Sequence, residues 1–147
     1  MNLNVESWNK FKVSDIFNNF INGKGLTEQE IKDNPGHLVA VQSSSENNAC
    51  MGLIDEQYCK EMKYKIVYQP CLTVARSGSA GFVSFQPDGC VIGDSAKALT
   101  IRKKNVNTCH YLFLRTILMK SMYRYTYGRK VKAEQYMNME IALPATT

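Results

Sequence analysis

The stretch Leu72-Thr73-Val74-Ala75-Arg76-Ser77-Gly78-Ser79-Ala80-Gly81-Phe82-Val83-Ser84-Phe85-Gln86 sets the frame for the rest of the chain. Strand formers lie on both sides of a small-residue turn: Leu72 and Val74 before it, Phe82, Val83 and Phe85 after it. Gly78 and Gly81 permit the positive φ and close backbone approach that a tight turn requires. A β-hairpin with a polar tip is therefore expected, presenting Arg76, Ser77 and Ser79 together. A guanidinium and two hydroxyls beside unencumbered backbone N–H groups suit a phosphate or a base edge.

Outward from this hairpin, Pro70 ends a strand at Ile66-Val67-Tyr68, and Pro87-Asp88-Gly89 turns the chain into further strands at Cys90-Val91-Ile92 and Ala96 to Arg102. The middle of the chain is expected to be a meandering sheet. Leu38 to Val41 and Gly52-Leu53-Ile54 add strands, separated by Gln42 to Asn48, a run without an apolar residue. Towards the N-terminus, Phe11 to Val13 alternates like an edge strand, Ser14 can cap a helical turn to Phe17, and Trp8 and Phe17 are core candidates. Gly23-Lys24-Gly25 is a turn carrying a positive charge, which suits Lys24 to a phosphate contact, although a lone Gly-Lys-Gly is usually only a turn. Thr27-Glu28-Gln29-Glu30 has the capping-box pattern of a short helix that Pro35-Gly36 stops. Asp55 to Lys63 is charged and expected at the surface.

Asn107 or Thr108 can cap a principal helix running to about Tyr123, with Leu112, Leu114, Ile117, Leu118 and Met122 as its apolar stripe. Arg115, Lys120 and Arg124 leave that stripe, and the first two are expected to be solvated. Met139 to Leu143 supplies a final strand.

At 147 residues the chain is one domain by size, and 44% hydrophobic with 21% charged residues is ordinary for a globular fold. No apolar run could span a membrane and no leader pattern precedes Trp8, so the expected location is cytoplasmic. Five cysteines at 50, 59, 71, 90 and 109 form neither a disulfide framework nor a zinc pattern. Cys71, Cys90 and Cys109 are expected to act as small core hydrophobes.

Charge is unevenly distributed: residues 1–96 hold 8 Lys and Arg against 11 Asp and Glu, and residues 97–147 hold 10 against 2. A basic second half on an acidic first half gives a one-sided field suited to a polyanion. Arg129, Lys130 and Lys132, interleaved with aromatic residues that include Tyr127, can hold phosphates, and Ser43, Ser44, Ser45, Asn47 and Asn48 can read base edges. Enzyme chemistry has little footing. His37 and His110 belong to no nucleophile or metal motif, Ser79 lacks the glycine at position 77 that a nucleophile elbow needs, and the acidic clusters are in surface-like stretches. No cofactor or metal site is expected.

The order of these segments resembles the target recognition domain of type I restriction-modification specificity subunits and of related fused restriction-modification enzymes. The resemblance is carried by Leu72-Thr73-Val74-Ala75 with Gly78-Ser79-Ala80-Gly81, by Trp8 to Phe17 leading into Gly23-Lys24-Gly25-Leu26-Thr27, and by Val39 to Ser45 running into Glu46 to Gly52. Tyr125-Thr126-Tyr127-Gly128-Arg129-Lys130 and Ile141-Ala142-Leu143-Pro144 complete it. It implies a single α+β target recognition domain over residues 1–147, with a curved, largely antiparallel sheet and packed helices. It also implies reading of part of a bipartite double-stranded DNA site in the major groove. Methylation, cleavage and the S-adenosylmethionine site would then belong to a methyltransferase (modification) subunit and a restriction subunit, or to other domains, and this chain would be non-catalytic. The pattern departs from the family in holding one such domain and no long coiled-coil helix after Pro144, so a half-length subunit, an excised fragment and part of a fused enzyme are all compatible. The rival class is a protein-interaction or scaffold domain whose basic face docks an acidic partner without reading bases; an enzyme with an unrecognised site ranks third.

Overall fold

The hairpin forms as its residue pattern requires, with strand β6 (Cys71–Ala75) antiparallel to β7 (Val83–Gln86) and Leu72 facing Phe85, Val74 facing Val83. The computed structural model describes residues 8–125 and 129–144. Around the hairpin lie β1 (Asn9–Lys12), α1 (Val13–Ile16), β2 (Ile21–Asn22), α2 (Glu28–Asp33), β3 (Pro35–Val41), β4 (Cys50–Ile54), α3 (Glu56–Glu61) and β5 (Lys65–Val67). Then follow β8 (Cys90–Ile92), β9 (Ala96–Leu99), α4 (Thr108–Met119), α5 (Ala133–Met137) and β10 (Glu140–Leu143).

Among the described residues these strands divide into three sheets, in the orders β2-β9-β6-β7, β4-β3-β8-β5 and β1-β10. The architecture is α+β and largely antiparallel, with one parallel pair where Ala40 and Val41 of β3 meet Val91 and Ile92 of β8. That pair corrects the expected meander: β8 leaves the hairpin for the second sheet and β9 returns to β6.

Alternation along the strands accounts for the layering. One face of β2-β9-β6-β7 carries Leu72, Val74, Val83, Phe85 and Leu99, covered by Tyr111, Leu114 and Leu118 of α4 and by Tyr136 of α5. Its other face carries small residues, Cys71, Ala96 and Ala98, which pack on Val41, Val67, Cys90 and Ile92 of the second sheet. The far side of that second sheet packs Ala40, Ile54 and Val91 against Ile31 of α2 and Cys59 of α3.

Helix ends follow local chemistry. In α2 the expected capping box is present: the Thr27 hydroxyl accepts from the Glu30 N–H at 3.1 Å. Two tyrosines, Tyr58 of α3 and Tyr64, donate to the other Glu30 carboxylate oxygen, Tyr58 at 2.7 Å, which ties the two short helices together. Asn107 caps α4 by accepting from the His110 N–H at 3.2 Å. At α1 the cap is Lys12 rather than Ser14, because the Asp15 carboxylate accepts the Lys12 N–H at 2.9 Å and starts the helix at Val13.

Other expectations are corrected. Leu112 is exposed; α4 buries Tyr111, Leu114 and Leu118, and stops at Met119. Arg115 is not simply solvated, since its guanidinium lies 5.6 Å from the centre of the Phe82 ring. Cys109 is exposed in the first turn of α4, whereas Cys59 is buried; Cys71 and Cys90 are buried as expected, their sulfurs 3.8 Å apart. Phe17 is fully buried and Trp8 half-buried against Phe113, with ring centres 5.9 Å apart. Trp8 therefore covers α4 from outside. No helix of the described residues is long and apolar enough to cross a membrane.

Candidate nucleic-acid interface

Four segments distant in sequence converge at the tip of the hairpin. Gly78 takes φ +63°, and a Cβ there would lie 2.9 Å from Ser43 Oγ, so the tip rests directly on the polar loop after β3. The Ser79 N–H donates to the Ser43 carbonyl at 3.5 Å. Behind them, the Ser43 N–H donates to Ser95 Oγ at 3.0 Å, and the Gln42 side chain both accepts from the Ser95 N–H at 3.2 Å and donates to the Leu26 carbonyl at 2.7 Å. Gln42 thus fastens three loops to one another rather than being a free polar residue.

The Arg76 main chain links two further segments. Its N–H donates to the Ser95 carbonyl at 2.8 Å, and its carbonyl accepts from the Val131 N–H at 3.0 Å. Val131 is buried between the exposed Arg129, Lys130 and Lys132, so this anchor brings the basic run beside the hairpin tip. Lys24, exposed, pairs in a parallel bridge with Gly93, next to Asp94 and Ser95. Ser43, Ser79, Arg76, Lys24 and the 129–132 segment therefore share one end of the domain.

The asparagines are placed differently. Asn47, Asn48 and Ala49 form a short 3-10 turn in which all three residues have positive φ, between 50° and 63°. The turn is fastened to β7: Asn48 Nδ2 donates to the Phe85 carbonyl at 2.7 Å, and the buried Gln86 Nε2 donates to the Asn48 carbonyl at 2.9 Å and to Ser84 Oγ at 3.0 Å. Ser45, Asn47 and Asn48 are all exposed, and the Asn48 amide nitrogen is in addition engaged in holding the turn. Ser44 Oγ accepts from the Glu46 N–H at 3.0 Å, a local turn bond. Ser77 is half-buried on the tip, and Tyr127 lies outside the described residues.

Electrostatics favour an anion here. Among the described residues the one ion pair is Lys60 with Glu56, at 3.5 Å on α3, so no described carboxylate lies within ion-pair distance of Lys24, Arg76, Arg129, Lys130 or Lys132. Among the described residues no group of three His, Cys, Asp or Glu side chains could hold a metal ion.

Comparison with known families decides the assignment: the model for the type I restriction modification DNA specificity domain matches residues 5–146. The chain belongs to that family. The specificity subunit S.BcgI of a type II restriction enzyme from Heyndrickxia coagulans is 25% identical over 138 residues, covering 94% of this chain and 38% of that protein. Among solved structures, the type I restriction-modification S subunit from M. genitalium superposes with a TM-score of 0.68 at 17% identity, over 97% of this chain and 36% of that one. The HsdS subunit from Thermoanaerobacter tengcongensis gives 0.63 at 14% identity, over 98% and 34%. The specificity domain thus spans little more than a third of the relatives it matches, and the structural matches confirm the α+β fold.

Sequence reading missed part of this end of the domain. Gln42 and Ser95 organise it, yet each is an ordinary polar residue whose role depends on loops that meet only in three dimensions. Lys97 of β9 also lies here, its ammonium 5.6 Å from the centre of the Phe20 ring. Position within a strand concealed it, because the alternation of β9 was not resolved into faces.

Proposed function

We propose that this domain recognises part of a double-stranded DNA site for a restriction-modification system and supplies that specificity to catalytic subunits without catalysing methylation or cleavage itself. The observation that carries this reading is the convergence at one end of the fold of two kinds of surface, inside a chain of the DNA specificity family. Hydroxyl and amide groups of Ser43, Ser45, Asn47, Ser77 and Ser79 match the donors and acceptors of base edges, and the cations that no described carboxylate pairs match phosphates. Arg76 stands between them, where its guanidinium can grip either a guanine edge or a phosphate. The partners of the assembly are a methyltransferase subunit and, where cleavage occurs, a restriction subunit.

Selection of bound duplexes from a randomised pool, at low and at physiological salt, tests the reading. An enriched motif that survives the higher salt is expected. A pool that stays unenriched at both salts would show attraction by charge alone and refute it.

A further inference from the structure

Lys97 is the cation in this end of the domain whose surroundings are least like open solvent. In the sheet it stands opposite Asn22 of β2 and Val74 of β6, so these three side chains project from one face. Arg76 lies two residues beyond Val74 and continues the same row towards the tip. The Lys97 ammonium donates to Asn22 Oδ1 and sits over Phe20, whose ring is in turn 5.5 Å from Tyr136 in the α5 layer.

This arrangement is electrically incomplete. Partial burial, and then the neighbouring Arg76 guanidinium, hold the Lys97 ammonium below the usual lysine range. Each effect disfavours the charge, while the amide oxygen and ring face offset it only in part. Asp94 does not close the circuit: Arg76 Nη1 reaches its backbone carbonyl at 3.5 Å, and the Lys60–Glu56 pair is the single carboxylate ion pair among the described residues. Two neighbouring cations, one of them braced in position by an amide and a ring, are built for an anion between them.

We propose that Lys97 and Arg76 together clasp one phosphate of the DNA backbone, with Asn22 and Phe20 positioning the lysine. The proposal rests on the DNA-recognition reading and adds to it a fixed phosphate contact on β9, which sets the register in which the hairpin tip meets the bases. A phosphate contact carries no sequence information of its own.

The test uses this chain with Lys97→Gln and Lys97→Arg, binding a preferred and a scrambled duplex across a fourfold range of salt. Lys97→Gln should weaken both duplexes alike and lower the salt slope by about 0.9, so that the affinity lost over that range is about 3.5-fold smaller than for the unaltered chain. Lys97→Arg should keep most of the affinity. An NMR titration of the lysine ammonium signals in the unaltered chain supplies an independent reading should Lys97→Gln fold poorly: the Lys97 signal should shift on adding duplex. Unchanged slope and affinity in Lys97→Gln, while alanine at Arg129, Lys130 and Lys132 weakens binding, would overturn the clasp and leave DNA recognition standing. Loss confined to the preferred duplex would make Lys97 a base contact and overturn it too. A Lys97 signal that moves with inorganic phosphate but not with duplex would assign the site to a free anion instead. Absence of any duplex binding by the unaltered chain at low salt would remove the DNA reading, and the clasp with it.

Discussion

Replacing Gly81 by alanine tests the geometry of the hairpin tip. Gly81 has φ +87°, and an added Cβ would lie 2.6 Å from Tyr125 Cδ2 and 3.2 Å from the Met122 Cα. The left-handed conformation costs an alanine about 1–2 kcal/mol. Crowding a packed site adds roughly 1–3 kcal/mol, and the Met122 backbone atom cannot swing aside as a side-chain end can. The sum, roughly 2–5 kcal/mol, corresponds to a fall of about 5–15 °C in Tm for a domain of this size. Gly78 supplies the internal control. Its φ is +63°, and an added Cβ would lie 2.9 Å from Ser43 Oγ, a hydroxyl that can rotate away, and 3.1 Å from the Ser43 carbonyl oxygen, a milder overlap than the 2.6 Å approach to the Tyr125 ring at Gly81. Gly78→Ala should therefore incur the conformational cost of about 1–2 kcal/mol with a smaller share of crowding than Gly81→Ala. Thermal unfolding followed by circular dichroism, with urea titration as a check on the slope, measures both. An unchanged Tm in Gly81→Ala, or a larger loss in Gly78→Ala than in Gly81→Ala, would refute the described tip.

Alanine at Arg129, Lys130 and Lys132 should weaken binding to preferred and scrambled duplexes about equally, lowering the salt slope by up to about one unit for each phosphate no longer held; a loss restricted to the preferred duplex would contradict this. Alanine at Ser45 or Asn47 should cost roughly 1–3 kcal/mol on the preferred duplex for each base edge no longer read, with little change on the scrambled one. Equal losses on both duplexes would show that the loop does not read sequence. Tyr136→Phe should leave stability unchanged or raise it by about 1 kcal/mol, because the Tyr136 hydroxyl is fully buried without a hydrogen-bond partner among the described residues. A marked fall in Tm would show that the hydroxyl is paired. Glu30→Gln should lower Tm at neutral pH, since the Tyr64 and Tyr58 hydroxyls hold the Glu30 carboxyl below its ordinary value of 4.5. A group whose folded value is depressed stabilises above its unfolded value and loses that share as pH falls through the folded one. The variant and the unaltered chain should converge in acid, and a Tm difference that persists unchanged there would count against the tyrosine hydrogen bonds.

What was legible in the sequence was local. The hairpin, the Thr27 capping box and the Asn107 cap each depend on residues within a few positions of one another, and each formed. Pairings over long separations were not legible. Nothing in Leu38 to Val41 announces that β3 will lie parallel to β8 some fifty residues later, which is why an expected meander became two stacked sheets. Helix faces were read too generously at Leu112, which points away from the sheet, because a stripe of apolar residues on α4 is wider than the layer it covers. At the candidate interface the residue types were legible but their duties were not: Asn48 looks like Asn47 in sequence, yet its amide is committed to the Phe85 carbonyl.

The pairing of β1 with β10 has a consequence for how such a domain can be carried. Asn9 stands opposite Leu143, so the two ends of the folded unit leave it side by side, one strand spacing apart. To a longer polypeptide, the whole domain is then a detour that returns to its starting point, closing a gap no wider than a tight turn would. Exchanging one such detour for another with the same paired ends would leave the host backbone unstretched.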